Sequence, residues 1–393
     1  MAGASEDGQK GPLCPGDTTI PRLLEGRCLS VQWPGVPCRA CAEACPTGAV
    51  EVGERSIGIA LDRCLRCGRC AAACPTEALA IAGSEPLPES VERIECARVP
   101  AAFHRPGTAV VPCTGGLSPN VLRAWLARTT DGSPIIVDRG WCAECPAGGT
   151  AEPWASAVAQ LARETDRLGS PRRVVVAREP LPSSVAGPPP SPPRLLAAKL
   201  DRRALLGGVV RRDEPERTHR IEARGSGRPR PVEAVALRER ARRLAALAAD
   251  GRAPASLFPE VVVADSCRDN RLCAATCPTG ALLLELEEET SSLLFDPEIC
   301  TGCRSCVEVC PTASLALSPA GEAEPVRRRV LRRRSLVRCV VCGARYHPLS
   351  ASGRCPTCEK DHELLRFVHH WVRRASVTDE PHEPSHGREG RST

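Results

Sequence analysis

Cysteine makes up 24 of the chain's 393 residues, and the cysteines fall in tight clusters. Cys64, Cys67, Cys70 and Cys74, followed by Pro75, read CxxCxxCxxxCP without a gap, and Cys300, Cys303, Cys306, Cys310 and Pro311 repeat the pattern. Spacings this short let three sulfurs converge from a single loop on one body, and thiolate is the soft donor that zinc and iron–sulfur clusters select. A secreted disulfide scaffold spaces its cysteines out, whereas close pairs and triplets read as metal sites. The N-terminal stretch MAGASEDGQKGPL carries no charged leader followed by an apolar run, so no secretory signal is expected. The expectation is a cytoplasmic, reduced protein whose thiols serve as metal ligands.

Both runs resemble those of the bacterial two-cluster ferredoxins. In that family three thiolates of a run bind one cluster, and the fourth, just ahead of the proline, reaches the neighbouring cluster. The resemblance implies two such dicluster modules, holding three to four [4Fe-4S] clusters. In the first block Cys38, Cys41, Cys45 and Pro46 fit the later positions, while Gly35 stands where the first ligand belongs. Cys28, ten residues before Cys38, is the expected replacement, with Cys14 as the alternative. One cluster then takes Cys28, Cys38, Cys41 and Cys74, and the other Cys45, Cys64, Cys67 and Cys70. In the second block Cys267, Cys273, Cys277 and Pro278 leave Asn270 at the second position. The three thiolates Cys267, Cys273 and Cys310 suit a [3Fe-4S] cluster, or a [4Fe-4S] cluster with an open corner that the adjacent Asp269 reaches. Cys277, Cys300, Cys303 and Cys306 form a complete set.

Two further groups lie outside these runs. Cys96, Cys113, Cys142 and Cys145 each follow a predicted strand, in RIEC, AVVPC and PIIVDRGWCAEC. Strand ends along one edge of an α/β sheet are close in space. The segments VPCTGG and IIVDRGWCAECPAG resemble the small iron–sulfur subunit that links hydrogenases to heterodisulfide reductases, which implies a [2Fe-2S] cluster on these four cysteines. The residues alone also suit zinc, a redox dithiol at Cys142 and Cys145, or buried thiols. His104, between the first two cysteines, is not expected to be a ligand. At the C-terminus Cys339-x2-Cys342 and Cys355-x2-Cys358 resemble a zinc ribbon, with Gly343 and Pro356 in the paired knuckle turns. A rubredoxin-like iron is the alternative. His347 is expected in a surface loop, and Cys14 is left without a site.

The elements that must place these sulfurs are short. Aromatic residues are only 3% of the chain, and small modules with little apolar bulk lean on metal for their stability. The expected class is α+β: two ferredoxin-like dicluster modules, a small α/β domain between them, and a C-terminal zinc ribbon. Residues 1–27 read as a flexible lead-in, and 28–90 as the first module. Residues 91–180 read as the α/β four-cysteine domain, and 181–255 as a Pro-rich linker with an amphipathic helix. Residues 256–320 read as the second module, 321–375 as a basic segment and ribbon, and 376–393 as a disordered tail. In each module a CPTGA turn leads to a hairpin, AVEVGERSIGIALD in the first and ALLLELEEETSSLLFD in the second. In VEAVALRERARRLAALAAD, Val235, Leu237, Ala241, Leu244 and Leu247 share one helical side.

Net charge is +6 on 53 basic and 47 acidic residues, a mild excess that favours acidic partners. The run RRRVLRRRSLVR lacks the interleaved aromatics that stack nucleic-acid bases, so a redox protein is the expected partner, and nucleic acid is not. No apolar stretch is long enough to span a bilayer. No dinucleotide fingerprint, P-loop or catalytic triad is present. The expected function is a multi-cluster iron–sulfur electron carrier of anaerobic metabolism, serving a larger oxidoreductase of hydrogenase, formate dehydrogenase or heterodisulfide reductase type. Two alternatives remain. One is a redox enzyme working at an open-corner cluster or at the Cys142/Cys145 pair. The other is an iron–sulfur redox sensor that binds nucleic acid.

Overall fold

The computed structural model describes residues 21–36, 38–81, 91–129, 132–189, 218–222, 231–268, 271–319, 328–348 and 352–376. Cys14, Asp269 and Asn270 lie outside the described residues, as does the tail beyond Ser376.

The first cysteine block begins with β1 (Arg22–Leu23) and three single-turn helices, α1 (Leu29–Gln32), α2 (Ala40–Glu43) and, later, α3 (Arg69–Ala72). The hairpin β2 (Val50–Val52) and β3 (Ser56–Ala60) separates α2 from α3, and β4 (Leu79–Ala80) returns to pair antiparallel with β1. Helices α2 and α3 carry one buried cysteine each, Cys41 and Cys70, which a single turn suffices to place. Residues 22–27, read from the sequence as loose lead-in, are thus part of the block. Arg22 and Leu23 supply the strand that β4 would otherwise lack. Their short, polar context carries no strand periodicity, which hid them.

The middle segment is a four-stranded parallel sheet. Its strands are β5 (Arg93–Cys96), β6 (Thr108–Val111), β7 (Ile135–Asp138) and β8 (Val175–Arg178), in spatial order β6-β5-β7-β8. Helices α4 (Pro119–Arg128) and α5 (Ala155–Arg167) cross between strands. Ser118 caps α4 by accepting from the Val121 amide at 3.1 Å, with Pro119 at the first helical position, where its missing N–H costs nothing. Ile94, Leu122, Trp125, Leu126, Ile136 and Leu161 fill the core between sheet and helices.

Beyond the Pro-rich stretch, β9 (Thr218–Glu222) pairs antiparallel with β3 and widens the first hairpin to three strands. Helix α6 (Val235–Leu247) follows. It buries Ala236, Leu237, Ala241, Leu244 and Leu247, while Val235 stays 55% exposed. Val235 therefore does not belong to the packed side. It sits in the first turn, about 100° round the helix from its buried neighbour Ala236. Ala241, Leu244 and Leu247 join the core of the parallel sheet, and Leu237 joins that of the second block, so α6 ties the two together.

The second block repeats the first: β10 (Pro259–Val263), α7 (Leu272–Ala275), the hairpin β11 (Leu282–Leu286) and β12 (Thr290–Phe295), α8 (Ser305–Glu308), and β13 (Leu315–Pro319) pairing with β10. Its hairpin also gains a third strand, β14 (Arg329–Ser335), which pairs with β12 across a register shift at Leu293/Leu294. The arginine-rich run is thus a sheet strand, and its charges are used within the chain. Arg329 pairs with Glu260, Arg328 with Glu285 and Arg332 with Asp265. After β14 come β15 (Val337–Arg338) and β16 (Arg345–Tyr346), a two-stranded antiparallel pair, then the long helix α9 (Pro356–Ser376). Residue 376, read as the start of the tail, ends this helix. No helix among the described residues is long and apolar enough to cross a membrane.

A buried ion pair braces the parallel-sheet domain. Arg123 Nε and Nη2 donate to Glu164 Oε2 and Oε1 at 2.7 and 2.6 Å, joining α4 to α5, and Arg123 Nη1 donates to Asn120 Oδ1 at 2.5 Å. Burial pushes the Glu164 carboxyl up, but the guanidinium outweighs it and holds it below the ordinary value of 4.5. A carboxylate with a lowered folded pKa stabilises above its unfolded value, and that contribution is lost as pH falls through the folded one. Arg123→Leu should destabilise this domain by about 3–5 kcal/mol, because it strands a buried carboxylate. Adding Glu164→Leu should restore much of the loss. Urea denaturation of the two variants, repeated from pH 7 to pH 3, measures both effects.

Candidate metal centres

Each CPT turn is built the same way, four times over. Gly48, Glu77, Gly280 and Ala313, three residues after Cys45, Cys74, Cys277 and Cys310, all take positive φ between 46° and 70°. Each donates its amide to the cysteine carbonyl, at 3.3, 3.2, 3.2 and 3.1 Å respectively. The turn aims later amides back at the sulfur. Ala49, Ala78 and Ser314 donate to Cys45, Cys74 and Cys310 Sγ at 3.2, 3.2 and 3.3 Å, and Leu282 to Cys277 Sγ at 3.5 Å. The threonine hydroxyl two residues on lies 3.6–3.8 Å from each sulfur. Burial pushes Cys45 and Cys310 up, but these donors outweigh it and bring both below the ordinary thiol range. Glycine is needed for such a turn only on steric grounds; Glu77 and Ala313 adopt it at some cost in strain.

The CxxCxxC loops use a second backbone device. Arg66 and Gly68 in the first block, and Gly302 and Arg304 in the second, are left-handed. Each loop thus places one glycine and one arginine at two equivalent positions. Gly302 N lies 3.5 Å from Cys300 Sγ as a result. Arg271, next to the non-cysteine position Asn270, keeps the same left-handed shape at φ 65°, so the irregular run retains part of the loop geometry of the regular one.

The sulfurs gather into five groups. At site one, Cys41 is held up at about 12 and Cys28 at about 11, by burial first and then by the neighbouring sulfurs of Cys74 and Cys38. Cys28 stands at the N-cap of α1, near the sulfurs of Cys74 and Cys38. At site two, Cys45, Cys64, Cys67 and Cys70 line a hollow of about 340 Å³ with Val50, Ile59 and Ile81. Burial holds Cys67 at about 11, and Cys70 higher still. At site three, Cys273 is held at about 11 by burial and by Cys267 and Cys310. At site four, Cys277, Cys300, Cys303 and Cys306 line a hollow of about 330 Å³, with Cys300 at about 12 and Cys306 at about 11.

Site five joins the ends of three parallel strands. Cys96 ends β5, Cys113 follows β6, and Cys142 and Cys145 follow β7. The four line a hollow of about 420 Å³ together with Arg98, Arg139, Trp141 and Pro188. A hydrogen bond from Cys113 lowers Cys96, the same bond and burial raise Cys113, and burial beside other thiols holds Cys142 at about 12. A Cβ on Gly148 would run into the Cys142 carbonyl, so only glycine allows this turn. His104 does not line the hollow. Pro188, from the stretch read as a linker, packs on the site, and Pro189 O accepts from Arg98 at 2.5 Å. Sequence reading missed both, because proline repeats carry no periodicity.

The C-terminal group is different in scale. Cys339, Cys342, Cys355 and Cys358 have all four sulfurs within 4.8 Å of one another, and Cys342 and Cys355 are 3.7 Å apart. Four sulfurs about 2.3 Å from one central ion stand about 3.8 Å apart. Among the described residues this is the one set of three or more metal-ligating side chains so closely gathered. The wider cysteine groups therefore suit a larger inorganic body than a single ion. Gly343, at φ 71°, makes the first knuckle, its amide donating to Cys339 O at 2.9 Å. Pro356, expected in a second knuckle, instead opens α9, since its fixed φ suits a helix's first position. His347 stays out of the group and meets Arg334 Nη1 at 3.0 Å.

Thiols crowded into apolar hollows resist ionising side by side, and a polycation at the centre of such a donor set would favour the thiolates. If the fourth cysteine of each motif serves the neighbouring site, Cys45→Ala should damage site two, held by Cys64, Cys67 and Cys70. It should spare site one, beside which Cys45 lies in sequence. EPR of the reduced variant, with iron content, reads which of the two signals is lost.

Residues 36–78 and 265–314 match the family model of the 4Fe-4S dicluster domain. No curated protein matches the chain. With the geometry of their cysteines, the two matched segments mark the chain as an iron–sulfur electron-transfer protein.

Proposed function

We propose that the chain relays single electrons to or from a larger redox enzyme, of the hydrogenase, formate dehydrogenase or heterodisulfide reductase type. The observation that carries this reading is the gathering of 19 cysteines into five internal groups, each beside another. Cys28, Cys38, Cys41 and Cys74 would hold one [4Fe-4S] cluster, and Cys45, Cys64, Cys67 and Cys70 another. Cys277, Cys300, Cys303 and Cys306 would hold a third, and Cys96, Cys113, Cys142 and Cys145 a [2Fe-2S] cluster. Cys267, Cys273 and Cys310 offer three thiolates, which suits a [3Fe-4S] centre or a four-iron centre with one open corner. Cys339, Cys342, Cys355 and Cys358 would hold structural zinc.

Bound clusters supply one-electron capacity, with potentials set by burial, charge and hydrogen bonds to sulfur. The protein's own part is to bind, bury and hydrogen-bond the sulfurs, and a centre ringed wholly by thiolates leaves no position for a substrate. The engaged arginines of β14 favour this reading over a nucleic-acid arm. Arg334 Nη2 donates to Cys267 O at 2.6 Å, and Arg332 Nη1 to Ala264 O at 2.7 Å, so these cations serve site three. Anaerobic purification should give a brown protein with about 14–18 irons and one zinc per chain. Absence of acid-labile sulfide would overturn the proposal. Turnover of a small substrate with only an artificial electron donor would favour an enzyme acting at the open corner.

A further inference from the structure

We propose that the chain holds its five cysteine sites in single file, in the order three, four, one, two, five, and that two packed joints make the file a continuous path for single electrons. The joints are the small apolar core on which Cys38 and Cys303 both pack, and the packing of Cys67 with Cys113. This rests on the reading of the sites as iron–sulfur centres, and adds their order and the residues that couple one module to the next.

Neighbouring sites within each block share a core. Cys41 and Cys70 pack into one apolar cluster, and Cys273, Cys277, Cys300, Cys306 and Cys310 into another. The joints between blocks are the new element. At the first, Leu29, Val36 and Val232 form a small buried core of their own, and Trp33, Cys38 and Cys303 close it from the two sides. Val232 donates its amide to Pro278 O in the second block at 2.7 Å, and Glu233 its amide to Gly26 O in the first block at 2.8 Å. A two-residue strap thus fastens the blocks where a cysteine of site one and a cysteine of site four pack on the same core.

At the second joint Cys67, Cys113, Cys145 and Ala147 share one buried cluster, with Leu65 packed against it. Polar bonds fix the contact at its edges. Arg69 Nη1 donates to the Ala147 and Gly148 carbonyls, and Arg98 Nη2 reaches Leu65 O at 3.4 Å. Gly116 makes the approach possible, since a Cβ there would run into the Cys67 carbonyl.

If these faces served only to glue modules together, ordinary aliphatic side chains would do. Instead the second contact is made of buried cysteines of two metal sites, and the first sets a half-buried cysteine of each block against one apolar core. Tunnelling rates fall exponentially with the gap, and a dry, tightly packed joint shortens it. With iron–sulfur centres bound, each transfer along the file would oxidise one site by one electron and reduce its neighbour by one, moving no proton and no atom. The outer electron donor in the test is dithionite.

The test is low-temperature EPR on the full chain, purified without oxygen and reduced stepwise with dithionite, beside iron and sulfide analysis. The expected result is magnetic interaction across both joints, including between site five and site two, seen as broadening and faster relaxation. In Gly116→Ala the interaction of site five with site two should be lost, with iron and sulfide content and the interaction inside each block unchanged. Full iron and sulfide content, with the two blocks and site five magnetically isolated in the unaltered protein, overturns the single file and leaves the iron–sulfur reading standing. That measurement decides even if the variant does not fold. A folded Gly116→Ala protein with its interaction intact overturns the second joint. A chain without acid-labile sulfide overturns both proposals.

Discussion

A thiolate buried beside other thiolates is tolerable only when a cation sits among them, and this constraint organises the chain. Burial and mutual repulsion raise the thiols at sites one, two, three and four. Few aromatic side chains are available to fill the interior, since they are 3% of the residues. The cysteine blocks therefore combine short strands, single-turn helices and donor-rich turns around their sulfurs. The free energy of binding inorganic centres becomes folding free energy.

Local backbone chemistry answers that constraint in a repeated form. Four CPT turns present an amide and a hydroxyl to the last cysteine of each motif, and four left-handed residues shape the two CxxCxxC loops. Hydrogen bonds of this kind stabilise negative charge on sulfur and set potential. The CPT turn appears whether its left-handed position holds glycine, glutamate or alanine, and the loop whether its own holds glycine or arginine. The site therefore enforces the turn strongly enough to absorb the strain.

Larger packing decides what the sites can do together. Helix α6 contributes to the core of the parallel sheet and to that of the second block. Strands β9 and β14 each add a third strand to a hairpin formed much earlier in the chain. The arginines of β14 are drawn into ion pairs and carbonyl contacts around site three. A run that reads as a solvated basic face is thus an internal brace.

Cysteine spacing and short apolar runs determined the two blocks, their hairpins, the strand-end placement of Cys96, Cys113, Cys142 and Cys145, and the C-terminal group. Those features are local: a CxxC pair, a CPT turn or an alternating hairpin is written within a few residues. Tertiary structure alone decided the rest. It turned Val235 outward, opened a helix at Pro356, and drew Arg22–Leu23, Thr218–Glu222 and Pro188 against elements distant in sequence. It also brought Cys38 and Cys303 onto one small core, and Cys67 to Cys113. Such contacts depend on which faces meet after the chain has closed long loops, and no local pattern of residue types records that choice.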